Sequence, residues 1–304
     1  MHPAPSIIVF TTLSGLGYGL AAVLGLGLLD PAALATKLAH LLALALIGAG
    51  LLSSTLHLGN PQRAWRAFSQ WRSSWLSREG VLAVIGLPVI AGNAYASVWL
   101  DEYLPWLGGL ATVLSLVTVF CTAMIYASLR SVQAWHTPLT PACYLAFASA
   151  GGFCLAAAFD AMSGRSFPLL LWIACAAIVV AWALKFVWWR RVDGQPQQST
   201  AASATGLGSI GSVRLFEPPH MNGNYLTREM GFVVARKHGR KLRMIALVAG
   251  GLLPVALLMA APEQGAIAML MSVLAAISLF GGIIVERWLF FAEARHAVMS
   301  YYGR

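Results

Sequence analysis

Apolar residues run through this chain in long blocks, with no polar/apolar alternation. Eight blocks are long enough to cross about 30 Å of hydrocarbon as a helix. They cover residues 7–29, 38–58, 81–100, 107–129, 142–162, 169–189, 244–261 and 267–285. The blocks are rich in Leu, Ala, Val and Gly, a pattern of spanning helices rather than barrel strands. The expected fold is all-α: a polytopic membrane protein built as a bundle of eight transmembrane helices. Residues 1–304 then form a single integral membrane domain, with 190–243 as a long loop within it. The opening Met1-His2-Pro3-Ala4-Pro5 has no Lys or Arg, and the first block is long enough to span, so no cleaved signal peptide is expected.

Composition agrees. Of 304 residues, 59% are hydrophobic and only 10% charged, against about a quarter charged in soluble domains. That excludes a soluble enzyme, a disordered chain and a disulfide scaffold. The charge of +9, from 20 Lys+Arg and 11 Asp+Glu, needs a location.

The location is one-sided. The second, fourth and sixth gaps between blocks and the C-terminal tail carry seventeen of the twenty basic residues, including Arg63, Arg66, Arg72, Arg78, Arg130, Arg190, Arg191 and the run Arg236-Lys237-His238-Gly239-Arg240-Lys241-Leu242-Arg243. The odd gaps hold only Lys37 and Arg165, beside Asp30, Asp101, Glu102 and Glu263. Lys185 falls near the even-gap end of its block, where it can snorkel. By the positive-inside rule both termini and the even gaps are cytoplasmic. The excess therefore belongs to topology and not to nucleic acid.

No Asp, Glu, Lys or Arg falls at the expected midplane of any block; Asp160 and Lys185 lie near ends. Pumps and ion-coupled transporters place buried charge along their pathway. A secondary transporter, the alternative from another class, also calls for inverted repeats, and no convincing repeat is visible. Ser14-Gly15-Leu16-Gly17-Tyr18-Gly19 imitates a nucleotide loop but lies inside an apolar block. Its Gly15 and Gly19 suit close helix packing instead. Cys121, Cys143, Cys154 and Cys175 are scattered and form no CxxC, so core filling is expected and no metal site. Membrane haem ligation needs facing histidine pairs, and His40 has no partner on its side. No haem or iron–sulfur cluster is expected in this chain.

Residues 53–80 carry the most chemistry. His57 closes the second block and Glu79 opens the third, with four arginines and three tryptophans between them. An interfacial aromatic and basic belt accounts for the Trp and Arg content but requires neither His57 nor Glu79. A quinone head group takes up two protons with two electrons, and histidine and carboxylate at the membrane edge can supply them. An ordinary buried hydrogen bond for His57 is the competing reading. In the sixth gap, residues 195–212 read as a flexible linker. The basic run that follows suits anionic lipid head groups or a docking surface for a soluble partner.

Several short motifs in order carry a family resemblance. His2-Pro3-Ala4, Phe10-Thr11-Thr12-Leu13-Ser14-Gly15, Leu56-His57-Leu58-Gly59-Asn60-Pro61 with Arg63-Ala64, Trp135-His136-Thr137-Pro138 and Glu286-Arg287-Trp288 resemble the membrane anchor subunits of dimethyl sulfoxide reductase-type molybdopterin oxidoreductases. The resemblance implies partners: a molybdopterin catalytic subunit and a four-cluster iron–sulfur subunit, with electrons exchanged with membrane quinone (ubiquinone or menaquinone). It also associates His57, in the family's HLG motif, with quinone binding, and implicates Glu79. Arg63, Arg66 and Arg78 join them here as neighbours in the same loop. In respiratory dimethyl sulfoxide reductases these loops face the periplasm, whereas the charges here mark them as cytoplasmic. The segment from Trp65 to Glu79 looks most like the anchors of cytoplasmic sulfite dehydrogenases. The expectation is an anchor in the bacterial inner membrane, N-in and C-in, serving sulfite oxidation. A menaquinol-oxidising reductase anchor is the alternative within the family.

Overall fold

The computed structural model describes residues 3–55, 60–164, 168–195, 200–214, 216–217 and 234–302, and among these no β-strand occurs. The helices are α1 (Pro5–Leu24), α2 (Leu34–Thr55), α3 (Trp75–Leu100), α4 (Pro105–Ala127), α5 (Leu139–Met162), α6 (Pro168–Gly194), the short α7 (Ala201–Thr205), α8 (Val234–Leu247), α9 (Leu253–Ala260) and α10 (Ala266–Ala292). A 3₁₀ helix occupies Pro61–Phe68, and a π-helical turn, Val248–Leu252, joins α8 to α9. Eight helical segments are long and apolar enough to span, the seventh running His238–Ala260 through the π-turn. The chain is a multi-pass membrane protein.

Two helix limits differ from the sequence expectation, with consequences. The Ser74 side chain accepts from Ser77 N–H and starts α3 at Trp75, ahead of the expected Val81, so Glu79 lies in its second turn. At the other end of the chain, α10 continues through Glu286-Arg287 to Ala292. That charged pair had marked the end of the eighth span; instead it lies inside the bundle.

α1 is the centre of the bundle, with fourteen of its twenty residues buried, and it packs on α2, α4, α5 and α10. α5 lies beside it and carries α6 and α10 on its other side. Small residues permit this. A Cβ on Gly19 would fall on the carbonyl of Ala148, and one on Gly152 would fall on the carbonyl of Gly19. Gly17 lies against Ile47 of α2, whereas Gly15 faces open space. Of the two glycines expected to pack, Gly19 makes the contact, and the small pair facing it is Ala148 and Gly152. Lipid tails give helices no hydrophobic reason to associate, so such backbone approach supplies the attraction.

The seventh span is held by its irregularity. The π-turn leaves carbonyls without their usual partners, and in hydrocarbon each needs a donor. Trp182 Nε1 donates to Gly250 O at 2.6 Å and Ser278 Oγ to Ala249 O at 2.6 Å. Gly250 packs directly on Gly282 of α10.

The connections gather at opposite ends. The first and third gaps meet through the Lys37–Asp101 ion pair, 2.5 Å, and Ser97 Oγ donating to Pro31 O. At the other end the fourth gap meets the tail and the last turn of α10, with Ala297 N–H donating to Ser131 O and Trp135 Nε1 to Phe290 O. There too Arg243 of α8 bridges Asp193 of α6 and Glu293 just past α10.

Candidate functional site

The even-gap end holds the chemistry. α3 enters the bundle one turn after the 61–74 segment, and Glu79 is 5% exposed. Its carboxylate is hydrogen-bonded to Thr122 Oγ1 of α4. Tyr18 of α1, Cys121 and Tyr126 of α4 and Tyr144 of α5 all lie within its electrostatic reach. The Tyr18 hydroxyl is buried and makes no hydrogen bond among the described residues. A carboxylate taken out of water needs partners, and here one threonine hydroxyl is the hydrogen bond that the described residues supply.

The arginines divide by role. Arg78 turns back onto the preceding loop: its Nε donates to Trp71 O at 3.0 Å, its Nη2 to Arg72 O at 2.7 Å, and its guanidinium lies 4.1 Å from the centre of the Trp75 ring. It therefore shapes the segment that leads into Glu79. Arg63 and Arg66 are exposed on the 3₁₀ helix, among the exposed Trp65, Phe68 and Trp71. Phe68 fastens this helix to α3, its ring lying 3.2 Å from where a Cβ on Gly80 would stand. The structure thus joins Glu79 and Arg78 to one helix start and leaves Arg63 and Arg66 on the outer surface. His57 lies outside the described residues.

Sequence reasoning missed a second buried charged group. Lys185 of α6 is 1% exposed and Glu286 of α10 is 0% exposed, and they form an ion pair at 2.6 Å. Arg287, 3% exposed, approaches Glu286 at 3.2 Å and lies 3.8 Å from the centre of the Tyr144 ring. Lys185 does not snorkel; its ammonium stays inside, 3.8 Å from the centre of the Trp188 ring. Arg287, which the block limit at 285 assigns to the C-terminal tail, likewise lies within α10. One signal was available: Trp288-Leu289-Phe290-Phe291 follow the charged pair, so the apolar helix does not end there.

All four cysteines are buried free thiols. Among the described residues no three His, Cys, Asp or Glu side chains come close enough to hold a metal ion.

The bundle thus combines eight segments long and apolar enough to span a membrane with two buried carboxylates, Glu79 and Glu286, on the helices that carry the site. The family model for the DMSO reductase anchor subunit (DmsC) matches residues 1–292, and the chain belongs to that family. It is also 36% identical to a sulfite dehydrogenase subunit from Allochromatium vinosum, over 99% of this chain and 99% of that protein.

Proposed function

We propose that this chain is the quinone-reactive membrane anchor of a sulfite-oxidising complex. A molybdopterin subunit would oxidise sulfite with water to sulfate, releasing two electrons and two protons. The electrons would pass through an iron–sulfur subunit docked on the basic face, and reduction of one quinone takes up two electrons and two protons. The full-length likeness to a sulfite dehydrogenase subunit supports the substrate. The observation that carries the quinone role is the buried Glu79 carboxylate, in the second turn of α3 with Thr122 beside it.

In this scheme His57 hydrogen-bonds a quinone oxygen and Glu79 delivers protons, reloading from the adjacent aqueous edge. Arg78 orders the loop, and the exposed Arg63 and Arg66 offer positive charge to the quinone ring or to the partner's surface. One-sided basic residues support an N-in and C-in arrangement in a bacterial inner membrane. Residues 1–304 would act as one membrane domain, with 190–243 as a cytoplasmic loop. Electron entry and proton uptake then share one face, so little charge crosses the bilayer.

The test is sulfite-dependent reduction of a short-chain quinone by the assembled complex in membranes. His57→Ala and Glu79→Gln should each lower the rate at least tenfold while the complex still assembles and passes electrons from sulfite to a water-soluble dye. Wild-type quinone rates in both variants would refute the assignment.

A further inference from the structure

The Lys185–Glu286–Arg287 cluster contains two cations and one carboxylate, all of them sealed from solvent. Buried charges persist where partners or packing compensate them, and an unmatched one is costly. Cation–π contact takes part of the excess. Lys185 Nζ faces Trp188 at 3.8 Å, Trp189 at 5.6 Å and Phe290 at 5.4 Å, while Arg287 faces Tyr144 at 3.8 Å. Apart from these ion pairs, Arg287 Nε and Nη1, both Glu286 oxygens and the Tyr144 hydroxyl make no hydrogen bond among the described residues. The cluster therefore carries a surplus of one positive charge, and on its Arg287 side the cation is the more loosely paired, 3.2 Å from Glu286 against 2.6 Å for Lys185.

That side leads to Glu79 by contacts. Tyr144 stacks on Tyr126 at 5.9 Å between ring centres. Tyr126 stands four residues, one helical turn, beyond Thr122 on the same face of α4. Thr122 holds the Glu79 carboxylate. Glu79 and Glu286 together balance Lys185 and Arg287, so the four charges form a neutral set only while Glu79 is ionised.

We propose that the buried Lys185–Glu286–Arg287 cluster is a positioning device whose single surplus positive charge, borne toward Glu79 through the Tyr144–Tyr126 stack, governs proton delivery at the Glu79 site. It rests on the reading of Glu79 as the proton donor to quinone. The cluster explains why two cations are kept deep in an apolar bundle with one carboxylate. Removing its surplus makes Glu79 hold its proton more tightly, and enlarging it does the reverse. The other groups facing Glu79 are Tyr18 from α1, Cys121 and Tyr126 from α4, Tyr144 from α5 and Arg78 from its own helix. None of these is altered in the variants below.

The experiment uses the assembled complex in membranes, with sulfite as donor and whichever short-chain ubiquinone or menaquinone analogue the wild type reduces. The readout is the alkaline limb of the rate against pH, where a proton donor is lost. A unit charge inside the protein, acting through an effective dielectric of about 20, moves such a limb by on the order of one pH unit. Lys185→Met, which leaves the neutral Glu286–Arg287 pair, should move the limb upward by about that amount. Lys185→Arg should leave it in place. The double variant Lys185→Met/Glu286→Gln restores the single surplus charge and should return the limb to its wild-type position. A merely structural role predicts a double variant more damaged than the single one and no orderly shift, and that result overturns the proposal. If Lys185→Met fails to assemble, the double variant and Lys185→Arg decide alone: a displaced limb in either overturns the proposal. In Glu79→Gln the limb itself should vanish. Its persistence there would refute the Glu79 assignment, whereas its loss there with no shift in Lys185→Met would refute the cluster's role alone.

Discussion

Replacing one hydrogen by a methyl at two glycines of the same helix should have opposite effects. Gly15 and Gly19 lie one turn apart on α1, yet a Cβ at Gly15 meets nothing within 4 Å, while a Cβ at Gly19 falls on the backbone carbonyl of Ala148. Gly15→Ala therefore gains helix propensity alone, at most about 1 kcal/mol of added stability. Gly19→Ala gains the same but forces α1 and α5 apart, because a backbone carbonyl cannot rotate away as a side chain can. Overpacking of this kind costs about 1–3 kcal/mol, so the two variants should differ by about that amount, Gly19→Ala being the less stable. Gly152→Ala meets the carbonyl of Gly19 from the facing helix and should match Gly19→Ala in sign. The double variant should cost less than the sum, since the helices separate once. The assay is reversible unfolding in mixed detergent micelles, followed by tryptophan fluorescence. Equal midpoints for Gly15→Ala and Gly19→Ala would refute the close approach of α1 and α5, and with it the central position of α1.

Two further outcomes follow from single contacts and a third from the proposed topology. Trp182→Phe keeps the ring beside Phe147 but removes the donor to Gly250 O; it should cost about 0.6–2 kcal/mol in the same unfolding assay, the range for hydrogen bonds inside membrane proteins. Arg243→Ala breaks the bridge among α6, α8 and α10, and Arg243→Lys should not restore it, because the guanidinium pairs in bidentate fashion with Asp193 at 2.6 and 2.8 Å and with Glu293 at 2.8 and 3.1 Å. Most of that loss should come from Glu293, whose side chain is 10% exposed, since Asp193 at 57% is largely screened by solvent; a lysine variant with wild-type stability would refute the bidentate account. A reporter fused after Arg304 should be active only in its cytoplasmic form, and a periplasmic signal would overturn the proposed orientation and the sulfite preference drawn from it.

Much of the architecture was legible because spanning a bilayer leaves a coarse signature: about twenty apolar residues repeated eight times, with basic residues beside alternate gaps. The helix limits were less so. Ser74 capping α3 is a local choice among several serines, and it decided how far inside the helix Glu79 lies. Glu286 and Arg287 were misplaced for a related reason, since charge at the end of an apolar block looks like the membrane edge. Their partner Lys185 lies far earlier in the chain on α6, and no local pattern couples the two positions. The same holds for Thr122, which became part of the site only through its contact with Glu79.

By itself the sequence determined an eight-helix membrane protein, the side on which its basic residues gather, and Glu79 as a residue of interest near that side. These follow from hydropathy and charge counted along the chain, where the bilayer acts on each segment almost independently. Tertiary structure alone decided that α1 is the buried centre, that Arg78 serves its loop, and that Lys185, Glu286 and Arg287 form one buried cluster. Those facts depend on which helix faces meet. In hydrocarbon, faces are chosen by close backbone approach and by the need of each buried polar group for a partner, and both are relations between residues far apart in the chain.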